Sequence, residues 1–216
     1  MRFETIIIGA GAAGMMCAAH TRDALVIDHA KAAGEKIRIS GGGRCNFTNI
    51  FTNAENFLSE NTHFAKSALA RYTQWDFIDL VQRYDIPYHE KTLGQLFCDT
   101  SAKDIIAMLH DLMQAAGAEL WLKTSVTNVR HENGIFTLDV IRGDRTDTLT
   151  CKNLVIATGG KSIPKMGATG FAYDLAAQFG MRVTQTRPAL VPFTFSDGRF
   201  SEISGVSLPV QARAGD

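Results

Sequence analysis

The strongest constraint on this chain lies at its amino terminus. The apolar run Thr5–Ile8 passes directly into Gly9-Ala10-Gly11-Ala12-Ala13-Gly14, and small residues continue to about His20. A second apolar run, Ala24–Asp28, closes on an acid. Short unbroken apolar runs ended by glycine mark buried parallel strands. Strand, glycine turn, helix and strand in so short a span predict a βαβ unit with two parallel strands.

The glycine spacing has a chemical reading. Gly9 permits a tight turn, Gly11 lets the backbone approach a pyrophosphate, and Gly14 lets helix and strand pack closely. The helix N-terminus adds free N–H groups and a partial positive charge. Asp28 stands where an acid binds ribose hydroxyls, and His29 beside it is expected to line the adenine side. A P-loop is excluded, because Met15-Met16 occupy the places of Lys and Ser/Thr. A dinucleotide is implied, and at this point FAD and NAD both fit.

Composition narrows the class. Lys+Arg is 22 and Asp+Glu is 22, a neutral balance that argues against general nucleic-acid or anionic-membrane binding. No apolar run reaches the roughly 18 residues of a membrane helix. Ile6–Ala19 is read as motif rather than signal peptide, since its leader carries both charge signs. Cys17, Cys45, Cys98 and Cys151 are widely spaced without a CxxC, and the histidines do not cluster. That pattern suggests a reducing, cytoplasmic setting and no metal site. The expected partner is a small-molecule substrate, with no nucleic acid and no membrane.

Further along, Lys31–Asn53 reads as a long irregular loop, of the kind that is usually functional. Two helices are expected next, the clearer one starting after Thr73 with Asp76 completing a capping box. Phe77, Ile78, Val81 and Tyr84 share its face, and Pro87 stops it. Tyr88, His89 and Glu90 read as a solvated turn. A third helix starts at Ser101 with Asp104, carries Ile105, Ile106, Leu109, Leu112 and Met113 on one stripe, and stops at Gly117. Ala118–Leu122 reads as a buried strand. Ser125–His131 and Ile135–Arg142 join through Asn133-Gly134, a hairpin signal. Gly143-Asp144 turns the chain into Thr146–Cys151, giving a three-stranded meander. Asn153–Ala157 is expected as a separate returning strand. A last helix runs from about Gly170 to Gly180.

Two more segments bear on the site. Asn153–Ala157 ends in Thr158-Gly159-Gly160, a glycine pair at the ligand edge of a parallel sheet. In Lys36–Asn46, Gly41-Gly42-Gly43 expose successive N–H groups suited to an anion or carbonyl. Lys36 and Arg44 add positive charge for a pyrophosphate or a reduced flavin ring, and Asn46 and Asn49 could bond the ring's polar edge. These features, with the acid-ended second strand and the meander before a returning strand, favour FAD over NAD. Cys45 has no sequence partner and is not assigned thiol chemistry.

The segments GAGAAG, GEKIRISGGGRCNFTN, GQLFC, LVIATGGKSIPKMGATG, PALVPF and ISGVSLPV resemble a bacterial NAD(P)/FAD-dependent oxidoreductase family. That family includes aminoacetone-oxidase-like and 3-dehydro-bile-acid Δ4,6-reductase members. The resemblance implies a Rossmann-like FAD-binding α/β fold over residues 1–188. It implies that 189–216 begin an inserted β-rich domain, so the chain reads as an amino-terminal fragment. It implies that Gly9, Gly11, Ala12, Ala13 and Gly14 hold the pyrophosphate, and Asp28 the ribose. Lys36, Gly42, Gly43, Arg44, Cys45 and Asn46 would approach the ribityl and flavin portions. Val126 would offer its backbone to adenine, while Thr158, Gly159 and Gly160 close over the cofactor. GQLFC departs from a commoner GRxFP form at Gln95 and Cys98.

The expected function is a flavoprotein passing hydride or electrons between reduced NAD(P) or an organic substrate and FAD. No residue stands out as a general acid or base. The rivals are an NAD-dependent dehydrogenase, a non-catalytic dinucleotide-binding fragment, and a flavoprotein that modifies RNA, against which the neutral charge speaks.

Overall fold

A computed structural model describes residues 1–162, 167, 169–187, 195–203, 206, 209–211 and 213. They form two compact units, Met1–Val183 and Thr184–Asp216. In the second unit Ser201–Ile203 make a 3-10 turn, and Phe195 meets Phe200 edge-on with ring centroids 4.8 Å apart. The strand signal PALVPF lies outside the described residues, as does half of ISGVSLPV.

The first unit opens with β1 (Arg2–Ile8), α1 (Ala12–Ala19) and β2 (Ala24–Ile27). There follow α2 (Glu35–Ile39), a 3-10 turn at Ser40–Gly43, β3 (Asn46–Asn49), α3 (Lys66–Arg71) and α4 (Gln74–Arg83). Then come β4 (Tyr88–Glu90), β5 (Gln95–Cys98), α5 (Ala102–Ala115), β6 (Glu119–Trp121) and β7 (Thr124–Glu132). The unit ends with β8 (Ile135–Arg142), β9 (Arg145–Ile156) and α6 (Phe171–Gln178). A six-stranded sheet has the order β6-β2-β1-β9-β8-β7, and a three-stranded sheet has the order β3-β5-β4.

The central strands are apolar on both faces because both faces are covered. On one side Ile7 and Val26 join Met15 of α1 and Ile105, Met108, Leu109 and Met113 of α5. On the other, Ile6, Ile8, Leu25 and Ile27 join Trp121, Leu138, Leu149 and Leu175 of α6. Side chains this deep are each worth about 1.5–3 kcal/mol relative to exposure. β1 pairs in parallel with β2, Ile6 opposite Leu25, and β2 in parallel with β6, Val26 opposite Leu120. The predicted βαβ unit is therefore present.

Several local expectations hold in detail. Thr73 and Asp76 form a reciprocal capping box on α4, and Ser101 and Asp104 do so on α5. Asn133 and Gly134 take φ of 51° and 77°, as a tight two-residue hairpin turn requires. α4, however, stops at Arg83 rather than at Pro87. Asp85 turns left-handed at φ 52°, and the Ile86 and Asp85 N–H groups donate to the Val81 and Gln82 carbonyls. That Schellman pattern satisfies the last carbonyls before proline is reached.

Three expectations need correction. The two strands read at Thr146–Cys151 and Asn153–Ala157 are one continuous strand, β9. Its first half pairs antiparallel with β8, and its second half pairs parallel with β1, from Arg2 opposite Thr150 to Ile8 opposite Ile156. The meander is thus an extension of the main sheet. Lys31–Asn53 is not irregular, since it folds as α2, the 3-10 turn and β3. Tyr88–Glu90 is a strand rather than a turn, paired with β5 as β3 is on β5's other side. No helix among the described residues is long and apolar enough to cross a membrane.

Candidate functional site

The site lies at the carboxyl ends of β1, β2 and β9, where open α/β sheets bind ligands. Gly9, at φ 112°, faces the end of β9 so closely that a Cβ would stand 2.5 Å from the Ala157 carbonyl oxygen. Gly14 backs onto the Gly9 carbonyl, so α1 packs against the turn as only glycine allows. Gly11 differs, because a Cβ there would meet nothing within 4 Å. Open space at a helix N-terminus whose N–H groups lack side-chain caps is what a phosphate group needs.

Asp28 holds this turn in shape. Its carboxylate accepts from the Ala10 N–H at 2.6 Å and from the Ala30 N–H at 2.8 Å. The group is 16% exposed, with the His29 Nδ1 3.6 Å away. The acid therefore positions backbone as well as facing the cavity.

A cavity of about 660 Å³ runs from the glycine turn across the sheet edge. Gly9, Gly11, Ala12, Ala13, Asp28, His29, Lys36, Cys45, Asn46, Thr158 and Gly159 all line it. An adjoining cavity of about 240 Å³ shares Gly9, Asp28, His29 and Thr158, and reaches Thr124, Ser125 and Val126 of β7. Three segments distant in sequence thus meet around one elongated space. Lys36 ties two of them together, its Nζ donating to the Gly160 carbonyl at 3.3 Å and the Ser162 hydroxyl at 3.1 Å. A cation is thereby fixed at the wall of the cavity.

Other expected residues stand apart from it. Gly14 is buried behind the turn. Gly41, Gly42 and Gly43 are left-handed at φ 58°, 66° and 86° and close on themselves. The Arg44 and Cys45 N–H groups donate back to the Gly41 and Ser40 carbonyls. Gly42, Gly43 and Arg44 are outside the cavity wall, and the Arg44 side chain is exposed. Gly160 contributes its carbonyl to Lys36 and lies against Tyr173. Asn49 braces the chain locally, its side chain donating to the Leu93 carbonyl and accepting from Phe51 N–H. Cys45 is buried in the wall, and burial pushes its thiol up, against the weaker opposite pull of Ser40. Cys98 is pushed up to about 12 by burial first and by its neighbour Cys45 next. Neither is a thiolate at neutral pH.

The apolar wall was not read from the sequence. Phe47, Tyr72, Phe77, Ile105 and Leu109 also line the cavity. Phe47 meets Phe77 at 6.0 Å and Tyr88 edge-on at 5.5 Å between ring centroids. Phe77, Ile105 and Leu109 carry a helix-core periodicity, which cannot separate a core position from a cavity wall. Gly167, in the LVIATGGKSIPKMGATG segment, also lines both cavities. It approaches His29 so closely that a Cβ would stand 2.5 Å from Nε2.

Residues 3–210 match the HI0933-like protein Rossmann domain. The ribosomal RNA dihydrouridine synthase of Escherichia coli (strain K12) is 50% identical over 215 residues, covering 96% of this chain and 53% of that protein. The 3-dehydro-bile acid delta(4,6)-reductase of Clostridium scindens is 24% identical, covering 96% of this chain and 51% of that protein. The chain spans about half the length of these curated relatives. Among solved structures, the open conformation of a flavocytochrome c3 fumarate reductase aligns with a TM-score of 0.55 at 17% identity. That alignment covers 82% of this chain and 40% of the other, and shows a shared fold.

Proposed function

This chain belongs to the HI0933-like Rossmann family, and from that premise we propose that it is the FAD-holding part of an oxidoreductase that reduces uridine in ribosomal RNA. The observation that carries the cofactor assignment is the meeting of the Gly9–Gly14 turn, Lys36 and Thr158-Gly159 around one cavity. The RNA assignment rests on the activity for which two relatives at about half identity are named. It departs from the expectation of no nucleic-acid partner, which was drawn from the neutral net charge. Net charge describes the whole chain, whereas a single-stranded substrate is recognised locally, by stacking as much as by charge.

FAD fits the residues present. The open space at Gly11 would take the pyrophosphate at the α1 N-terminus. Asp28, His29 and Val126 line the adjoining cavity and would hold the adenosine part. Lys36, held by Gly160 and Ser162, would offer its charge to the ribityl and ring portion. Phe47, Phe77, Ile105 and Leu109 would give the cofactor an apolar wall to lie against. When bound, FAD supplies the hydride that saturates a carbon–carbon double bond conjugated to a carbonyl. Both curated relatives are named for products or bonds of this chemical type. Reduced NAD(P) is the proposed electron donor, and the cytoplasm, where the free cysteines stay reduced, is the proposed setting.

Titration of the purified chain with FAD tests the cofactor assignment. Tight binding, seen as quenched flavin fluorescence, is expected. A protein that ignores FAD and binds NADH tightly would favour the dehydrogenase rival. Incubation with FAD, NADPH and ribosomal RNA lacking the modification tests the substrate. Gain of dihydrouridine by mass spectrometry supports the assignment, and its absence with flavin oxidised by a small enone would redirect it.

A further inference from the structure

Beyond β9 the chain makes a short turn that is anchored on two sides. The Ser162 N–H donates to the Gly160 carbonyl at 2.8 Å, folding residues 160–162 back on themselves. One side rests on α6. A Cβ at Gly160 would stand 2.7 Å from the Tyr173 hydroxyl oxygen, and the Lys161 ammonium sits 5.7 Å from the Tyr173 ring centroid, within reach of its π face. The Lys161 side chain also runs against Gly170, the residue that opens α6. The other side faces α2, where the Gly160 carbonyl and the Ser162 hydroxyl both accept from the Lys36 ammonium.

A lysine side chain is long and flexible, and holding it in one place costs rotamer entropy. Its ammonium carries three donors. Two are engaged here, with the Gly160 carbonyl at 3.3 Å and the Ser162 hydroxyl at 3.1 Å, and one remains for a ligand in the cavity that Lys36 lines. Gly159 makes this approach possible. A Cβ there would stand 3.2 Å from the Lys36 Nζ, and its φ of 72° is one that side chains rarely adopt. Both acceptors are neutral, so the ammonium keeps its charge for an anionic ligand. Ser162 itself lies outside the walls of both cavities.

We infer that Ser162 is a positioning residue, whose hydroxyl holds the Lys36 ammonium in place before the cofactor arrives. This rests on the proposed FAD site and adds a residue that acts on it from outside the cavity. A side chain ordered in advance loses less freedom on binding, so the cofactor binds more tightly. The Gly160 carbonyl shares the task, but it belongs to the backbone and no side-chain change removes it. Ser162→Ala deletes the other acceptor and leaves the cavity wall untouched.

The test is a double-mutant cycle on the chain as it is, with FAD affinity read by quenching of flavin fluorescence. Ser162→Ala is expected to weaken FAD binding about fivefold. Lys36→Met removes the charge itself and is expected to weaken binding further. In the double variant the serine change should add nothing to the lysine change, because no ammonium is left to hold. Ser162→Thr keeps a hydroxyl and should bind FAD within about twofold of the wild type. Ser162 is exposed, so urea unfolding of Ser162→Ala should match the wild type, which separates positioning from folding. Equal FAD binding by Ser162→Ala and the wild type overturns the inference. A serine effect that persists at full size in the Lys36→Met background also overturns it, since the hydroxyl would then act without the lysine. A wild type that ignores FAD overturns the proposed function and the inference with it, whereas a wild type that binds FAD while the serine change is silent sinks the inference alone.

Discussion

Gly9, Gly11 and Gly14 occupy one motif under three different constraints, and substitution separates them. Gly14→Ala drives a Cβ into the Gly9 carbonyl, so the turn must shift. Urea unfolding is expected to show a loss of about 1–3 kcal/mol, as for overpacked sites. Gly11→Ala meets no protein atom within 4 Å. Its stability should stay within about 0.5 kcal/mol of wild type, a surface-like change. Its FAD affinity should fall by about tenfold or more, because the methyl occupies the place of a phosphate. Equal FAD binding by Gly11→Ala would count against the pyrophosphate assignment. Buried thiols give a second prediction. Cys98 ionises near its ordinary value of 9.0 when unfolded, but is pushed up to about 12 when folded. Below the unfolded value both states hold the proton and the stability is fully present. As pH climbs from about 9 through about 12, only the unfolded thiol ionises and stability drains away. Alkaline melting curves of wild type and Cys98→Ala should therefore diverge less as pH rises through that window. The motif glycines and Asp28 were legible because their roles are local in sequence. Phe47 and Tyr72 were not, because a cavity wall is made by distant segments meeting.

Helix ends and one strand carry the predictions at the next scale. Thr73→Ala removes the acceptor for the Asp76 N–H and should cost about 1 kcal/mol, read by urea unfolding. Leu149→Ala in β9 empties a fully buried position between β8 and the second core, and should cost about 2–5 kcal/mol. If Leu149→Ala were nearly neutral, the junction between meander and sheet would not be a packed core. The elements the sequence revealed have short-range signatures: the βαβ unit, both capping boxes, and the Asn133-Gly134 hairpin. Those it concealed depend on pairing. β4 is three residues long, and only its partnership with β5 distinguishes it from a turn. β9 gives two strand signals because β8 pairs with its first half and β1 with its second, the two pairings overlapping at Thr150 and Cys151 on opposite edges, and no residue in Lys152-Asn153 breaks the strand.

For the molecule as a whole, ligand and fold should be linked. A ligand bound only by the folded state stabilises it by about 2.7 kcal/mol at a hundredfold excess over its dissociation constant. Added FAD is therefore expected to raise the melting temperature by a few degrees in a calorimetric scan, while added NADH should raise it less. A cooperative transition indifferent to FAD would indicate an inert module. The uninterrupted run of β9 has a last consequence, for which lengths of chain are tolerated. Leu154 packs toward one core and Val155 toward the other. A single residue inserted in the strand before Asn153 would exchange them and turn the Ala157 edge of the cleft inside out. Length variation at the Gly143-Asp144 tip is free of this rule, but within the strand it must come in even numbers or not at all.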